Sequence, residues 1–182
     1  MKKLLSAVFL SLTFLTTVYA EEPKEKKEYV TFLDRGGLCF DAFFTMPLLT
    51  EDSDDVWYGF SAQIEGLFEG WMGYKVGFDW QYINNTNYLP LEIGTSFHLS
   101  LMFFGSILFD PYIGINADLC LWNDNPIYGY SWDSGIRFAI SYIGINVFYK
   151  HSYYYPIRKT DHKVDVGKLG IGITLFLDGS GF

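Results

Sequence analysis

Residues 71–82 read Trp-Met-Gly-Tyr-Lys-Val-Gly-Phe-Asp-Trp-Gln-Tyr. Met72, Tyr74, Val76, Phe78, Trp80 and Tyr82 are all apolar or aromatic, while Gly73, Lys75, Gly77, Asp79 and Gln81 between them are small or polar. Alternation of this kind puts side chains on opposite faces of an extended chain, whereas a helix needs apolar positions every three to four residues. The stretch predicts a β-strand with one apolar and one polar face.

The same period extends to both sides. Tyr58, Phe60, Ala62, Ile64, Gly66 and Phe68 alternate with Gly59, Ser61, Gln63, Glu65 and Glu69. Further strands are predicted over Leu91–Phe103, Ile113–Leu121, Ile136–Tyr142, Ile145–Tyr149 and Leu169–Leu177, with a first one near Leu38–Met46. That makes eight. Tight, Gly-containing hairpins are expected at Glu69-Gly70, Gly105-Ser106 and Ile143-Gly144. Longer polar connections are expected at 47–56, 83–88, 122–130 and 156–164. Short and long connections thus alternate, as in membrane barrels with short turns at one end and long loops at the other.

Alternation alone does not say which face is inside. A soluble lipocalin-like barrel would turn its apolar face inward, and a membrane barrel turns it outward. The 182 residues include 17 Phe, 14 Tyr and 5 Trp. An eight-stranded barrel has an interior just wide enough for side chains to fill, and the aromatic face would overfill it. The other face is rich in Gly, Ser, Asn and Thr. It carries charges of both signs, Glu65, Lys75, Asp79, Glu92, Arg137 and Lys150, which can pair across a lumen as a polar network. The expected fold is all-β, an eight-stranded antiparallel up-and-down transmembrane β-barrel with lipid as its outer partner.

Residues 1–20 place Lys2 and Lys3 before the apolar run Leu4–Leu15 and end on Val18-Tyr19-Ala20, the layout of a cleavable signal peptide. Cleavage there takes the formal net charge from −8 to −10. Residues 21–35 are expected to be a charged periplasmic leader, 36–177 the barrel, and 178–182 a tail. The acidic balance argues against a nucleic-acid partner.

Two local motifs carry a family resemblance. Asp110-Pro111-Tyr112-Ile113-Gly114 is similar to the Pro-Tyr-x-Gly strand opening of small bacterial outer-membrane barrels. Lys168, Gly170, Ile173 and Leu175 fit the polar-x-Gly-x-x-apolar-x-apolar assembly signal of a last barrel strand. From about residue 40 to 177 the chain resembles the OmpX, OmpW and OmpA-barrel class. The resemblance implies an outer-membrane location and recognition by the barrel-assembly machinery. It also implies a structural or surface-interaction role or, on the OmpW side, a narrow channel for small or hydrophobic solutes. The chain ends in Phe182, as many of these proteins do, although Asp178 and Ser180 break the alternation and the apolar ladder ends at Leu177.

No enzyme site, cofactor or metal is expected. His98-x-Ser100, with Glu92 on the same parity, resembles the His-x-Ser pair of outer-membrane lipid A deacylases, but these residues fall on the lumen face where no acyl chain reaches. His151 and Ser152 are adjacent and point to opposite faces. Glu51, Asp52, Asp54 and Asp55 lack the Gly and spacing of a calcium loop. Those acids and the Arg158, Lys159, His162, Lys163 group lie on loops that barrel closure makes neighbours, so they are expected to attract each other weakly. Cys39 and Cys120 are expected on opposite walls at different heights, too far apart to bond. Trp122, Tyr128, Tyr130, Trp132 and Tyr153 to Tyr155 suit either an aromatic girdle or contact with a surface or host ligand.

Overall fold

The structure is a computed structural model describing residues 30–32, 37–49, 58–68, 71–83, 86–122, 125–155 and 164–177. The described residues form ten strands: β1 (Val30–Phe32), β2 (Gly37–Leu49), β3 (Tyr58–Phe68), β4 (Met72–Ile83), β5 (Thr86–His98), β6 (Leu101–Phe103), β7 (Ile107–Trp122), β8 (Asn125–Ile140), β9 (Ile143–Tyr155) and β10 (Val164–Phe176). Eight of them close a ring in the order β2, β3, β4, β5, β7, β8, β9, β10, with β10 pairing back onto β2. Every pairing is antiparallel. Closure leaves no free edge in the ring, the condition for crossing lipid, where an unpaired peptide group has no water to bond.

The barrel strands run from 11 to 16 residues, enough for the ~9–11 residues that a tilted strand needs to cross the hydrocarbon. Outward rows are apolar. Ile113, Ile115 and Leu119 on β7 face out, as do Ile145 and Val147 on β9 and Ile171 and Ile173 on β10. Such a continuous exposed apolar skin is incompatible with water as the surrounding solvent. Polar side chains face inward and are buried, with Arg137, Asp41, Asp79 and Asn146 fully enclosed. The chain is an eight-stranded antiparallel up-and-down transmembrane β-barrel.

Two connections differ from expectation. Ile83 pairs with Thr86 and Trp122 with Asn125, so each of these links is two residues long instead of an extended loop. Residues 84–85 and 123–124 between these pairs lie outside the described residues. The strands consequently start earlier than expected, β5 at Thr86 and β8 at Asn125. The turn between β8 and β9 lies at Ser141-Tyr142 rather than at Ile143-Gly144, and Ser141 adopts φ 58°. In the three-residue β6–β7 connection Phe104 and Gly105 have φ 54° and 69°, the left-handed centre of a tight turn closed by the Ser106 N–H on the Phe103 carbonyl at 3.2 Å.

Pro111 sits where the wall changes partner. β7 pairs with β5 as far as Tyr112 opposite His98, then with β6 from Phe109 opposite Leu101. Proline has no N–H for the ladder, and its carbonyl accepts the Leu99 N–H at 2.9 Å across the break. β6 in turn pairs with β1, so Val30–Phe32, within the leader of 21–35, is a strand. The signal segment, Glu21 to Glu28, the acidic and basic loop groups, and Phe182 lie outside the described residues.

The interior is less uniformly polar than the alternation suggested. Cys39, Leu108, Ala139 and Phe176 pack together at the end where β3 turns into β4 and β8 into β9. Phe43, Tyr112 and Phe148 form an aromatic plate in the middle. Cys120, Ile127 and Tyr154 pack together toward the other end. Cys39 and Cys120 lie in the first and last of these groups and are not joined by a disulfide; the Cys39 thiol donates to Glu65 Oε2 at 3.7 Å.

Candidate functional site

The lumen is the site, and two sets of charges fill it. Arg137 on β8 anchors the first. Its Nη2 reaches Asp41 Oδ2 of β2 at 2.7 Å and Glu65 Oε2 of β3, and its Nη1 reaches Asp110 Oδ2 of β7 at 3.4 Å. The guanidinium lies 4.8 Å from the centroid of the Tyr112 ring, a cation–π contact. Asp41 is held further by Gln63 Nε2 at 2.9 Å, Asn146 Nδ2 at 3.2 Å and Thr174 Oγ1. One planar cation thus ties four strands, which suits the fixed fork of arginine better than the point charge of lysine.

His98 adjoins this set. Its Nδ1 lies 3.1 Å from both Asp110 oxygens, and its Nε2 lies 3.1 Å from Glu65 Oε1 and 2.9 Å from Ser96 Oγ. Ser96, His98 and Asp110 therefore sit in the order of a nucleophile, base and orienting acid. Two features of the setting differ from those of a working triad. Ser96 Oγ donates to Glu65, which takes the place of an attacking nucleophile's partner. The His98 side chain is 0% exposed, with no open face for a substrate in this arrangement. Ser100, the residue paired with His98 by spacing, donates instead to Asp110 at 2.8 Å.

The second set consists of three ion pairs: Lys75 with Asp133 at 2.5 Å, Lys150 with Glu92, and Lys168 with Asp79. Gly114 makes the first possible, because a Cβ there would lie 2.5 Å from Lys75 Nζ and 2.7 Å from Asp133 Oδ1. A cavity of ≈ 20 Å³ lies beside these pairs, lined by Asp79, Glu92, Asp133, Lys150 and Lys168 together with the aromatic plate.

The six charges singled out in the sequence are thus all inside, but in separate groups. Glu65 and Arg137 meet directly. Lys75 is the cross-strand neighbour of Glu65 yet bonds Asp133. Glu92 and Lys150 pair, and Asp79 takes Lys168. Sequence reasoning missed Asp41, Asp110 and Asp133 as partners. Asp41 and Asp110 share the parity of Asp79 on their own strands and could have been found by it, whereas Asp133 lay just past an Asn-Pro step read as loop. Of the four assembly-signal positions, Lys168 and Gly170 face the lumen, and Ile173 and Leu175 face outward.

Outside, the loop-bearing ends of β8 and β9 carry a ladder of rings. Tyr130 stacks on Tyr153 at 5.1 Å, Tyr128 on Tyr155 at 6.3 Å, and Trp132 on His151 at 6.0 Å with planes 1° apart. Of the rings that the sequence placed on loops, Tyr128, Tyr130, Trp132, Tyr153 and Tyr155 lie on the outer face of the barrel strands, and Tyr154 points into the lumen.

No known protein family matches the chain, and no curated protein matches it in sequence. Solved structures do match. A de novo designed transmembrane β-barrel superposes with a TM-score of 0.56 at 15% identity, covering 81% of this chain and all of that one. Its fold is that of the small transmembrane barrels. Neisserial surface protein A gives a TM-score of 0.55 at 12% identity, covering 82% of this chain and all of its own. At these identities the likeness concerns the path of the backbone. The chain shares the architecture of small eight-stranded outer-membrane β-barrels, and its lumen chemistry stands on its own residues.

Proposed function

We propose that the protein is an integral outer-membrane barrel with a structural or surface-interaction role, contributing to envelope integrity and making contacts through its aromatic outer rim, without an enzymatic site. The observation that carries this reading is the filled lumen. Apolar groups pack toward both ends, and an aromatic plate lies between two charge sets, so the interior supports rigidity rather than passage. The stacked rings of β8 and β9 support the second half of the reading. Tyrosine and tryptophan offer large contact area at low entropic cost and suit the membrane–water boundary. Lipid is the partner of the outward rows. The barrel-assembly machinery is the proposed reader of the last strand, with Ile173 and Leu175 presented outward for it. Residues 1–20 are the proposed export signal.

Planar-bilayer recording of the refolded full chain separates this role from a narrow channel. The proposal expects electrical silence; reproducible single-channel steps would overturn it in favour of transport. The Ser96–His98–Asp110 contact gives a lipid hydrolase one further test: any lipid modification in cells expressing the protein should be unchanged by His98→Ala.

A further inference from the structure

On the far side of the aromatic plate from Arg137, four inward-facing carboxylates meet three ammonium groups. Lys75, Lys150 and Lys168 take Asp133, Glu92 and Asp79. Asp118 on β7 is left over: it is 4% exposed, and among the described residues no basic side chain lies within ion-pair distance of it. Glu92 stands directly opposite it on β5 and takes Lys150, so the ammonium on that side is already engaged by the neighbouring carboxylate. Like charges facing each other across a strand pair are unfavourable, and a buried carboxylate without compensation is costly.

The hydrogen bonds around Asp118 define what is missing. Ser131 Oγ donates to Asp118 Oδ1 at 3.1 Å, and Asn116 Nδ2 donates to Ser131 Oγ at 3.1 Å and to Asp133 Oδ2 at 2.7 Å. Asn116 and Asp133, like Asp118, are more than nine-tenths buried, and in each of the three groups one oxygen has no hydrogen-bond partner: Asn116 Oδ1, Asp118 Oδ2 and Asp133 Oδ1. Ser152 and Tyr154 bring two further buried hydroxyls close by. The register puts these groups in one belt, with Asn116 opposite Ser131, Ser131 opposite Ser152, and Asp118 and Tyr154 both opposite Gly129. The belt has acceptor oxygens in excess and one negative charge too many.

We propose that this belt binds a single monovalent alkali cation of sodium or potassium size, with Asp118 Oδ2 as its charged ligand and Asn116 Oδ1 and Asp133 Oδ1 beside it. Oxygen-only donors select hard cations over transition metals. The charge excess of one fits a monovalent ion. A cavity of ≈ 20 Å³ reaches the belt at Asp133, with Lys150 and Lys168 on its far lining, and has room for one water-sized species. The inference rests on the barrel interior alone and is independent of the surface role proposed above.

The test follows thermal unfolding of the refolded full chain in detergent micelles, in sodium, potassium and N-methylglucamine chlorides at matched ionic strength. The site predicts a midpoint that rises saturably with sodium or potassium and stays flat with N-methylglucamine. Asp118→Asn should abolish the saturable rise. Asn116→Leu, which keeps the charge count and removes a ligand oxygen, should weaken apparent cation affinity about tenfold, roughly the effect of losing 1.4 kcal/mol of binding. An identical midpoint in all three salts would overturn the proposal, as would a cation dependence that survives in Asp118→Asn. A midpoint that responds to pH through Asp118 with no alkali-ion effect would assign the charge to a proton instead, and would overturn it too.

Discussion

Arg137 shows why a buried cation is a commitment of the fold. It holds Asp41, Glu65 and Asp110 within one guanidinium's reach, on three strands other than its own. Removing it leaves three buried carboxylates without their counter-charge, and breaking such a cluster from one side typically costs about 3–5 kcal/mol. Arg137→Met should therefore lower the urea unfolding free energy of the micelle-bound barrel by about that amount. A loss below about 1 kcal/mol would mean that the carboxylates are neutralised some other way. The inward direction of Glu65, Lys75, Asp79, Glu92, Arg137 and Lys150 could be read from parity alone. Their pairing could not. Lys75 bonds Asp133, 58 positions away, because strand stagger and the reach of a lysine set that partner. Neither quantity is written in local sequence.

The packing of β9 against β10 depends on a small residue meeting a large one. Phe148 and Gly170 are register partners, and a Cβ on Gly170 would lie only 2.1 Å from Phe148 Cε1 at the ring edge. The ring also packs edge-on to Phe43 at 4.5 Å. Gly170 belongs at the same time to the proposed assembly signal, so the two roles need separating. If its role is steric, Gly170→Ala should cost about 1–3 kcal/mol by overpacking. Combining it with Phe148→Ala should then recover part of that cost, a coupling of about 1 kcal/mol in a double-mutant cycle of unfolding free energies. An absence of coupling would mean that Gly170 matters for a reason other than room. Elements were legible where alternation was clean, as along residues 71–82. They were obscured where turn-forming residues mark a strand's end, as with Asn125-Pro126 at the start of β8. The break between β5 and β6 was hidden because Pro111, its cause, lies on the neighbouring strand.

Across the whole molecule one asymmetry dominates: apolar side chains face out and charged ones face in. Ile115 is 60% exposed on the outer face, while its neighbour Asn116 is 3% exposed inside. In water that arrangement would collapse or aggregate; in a bilayer each face meets the medium that suits it. Volume decided this in the sequence, because the aromatic face is too bulky for an eight-stranded interior. What volume did not reveal is that some bulk enters the lumen anyway, as Phe43, Tyr112 and Phe148, since opposing glycines such as Gly135 and Gly170 make space for them. The most direct test of the inside-out barrel is folding of the mature chain from urea into lipid vesicles, read by gel migration with and without boiling and by protease digestion. The account predicts a heat-sensitive band of altered mobility whose strands resist protease in the presence of vesicles. A protein that instead folds to a soluble, protease-resistant monomer without lipid or detergent, with unaltered migration, would contradict it.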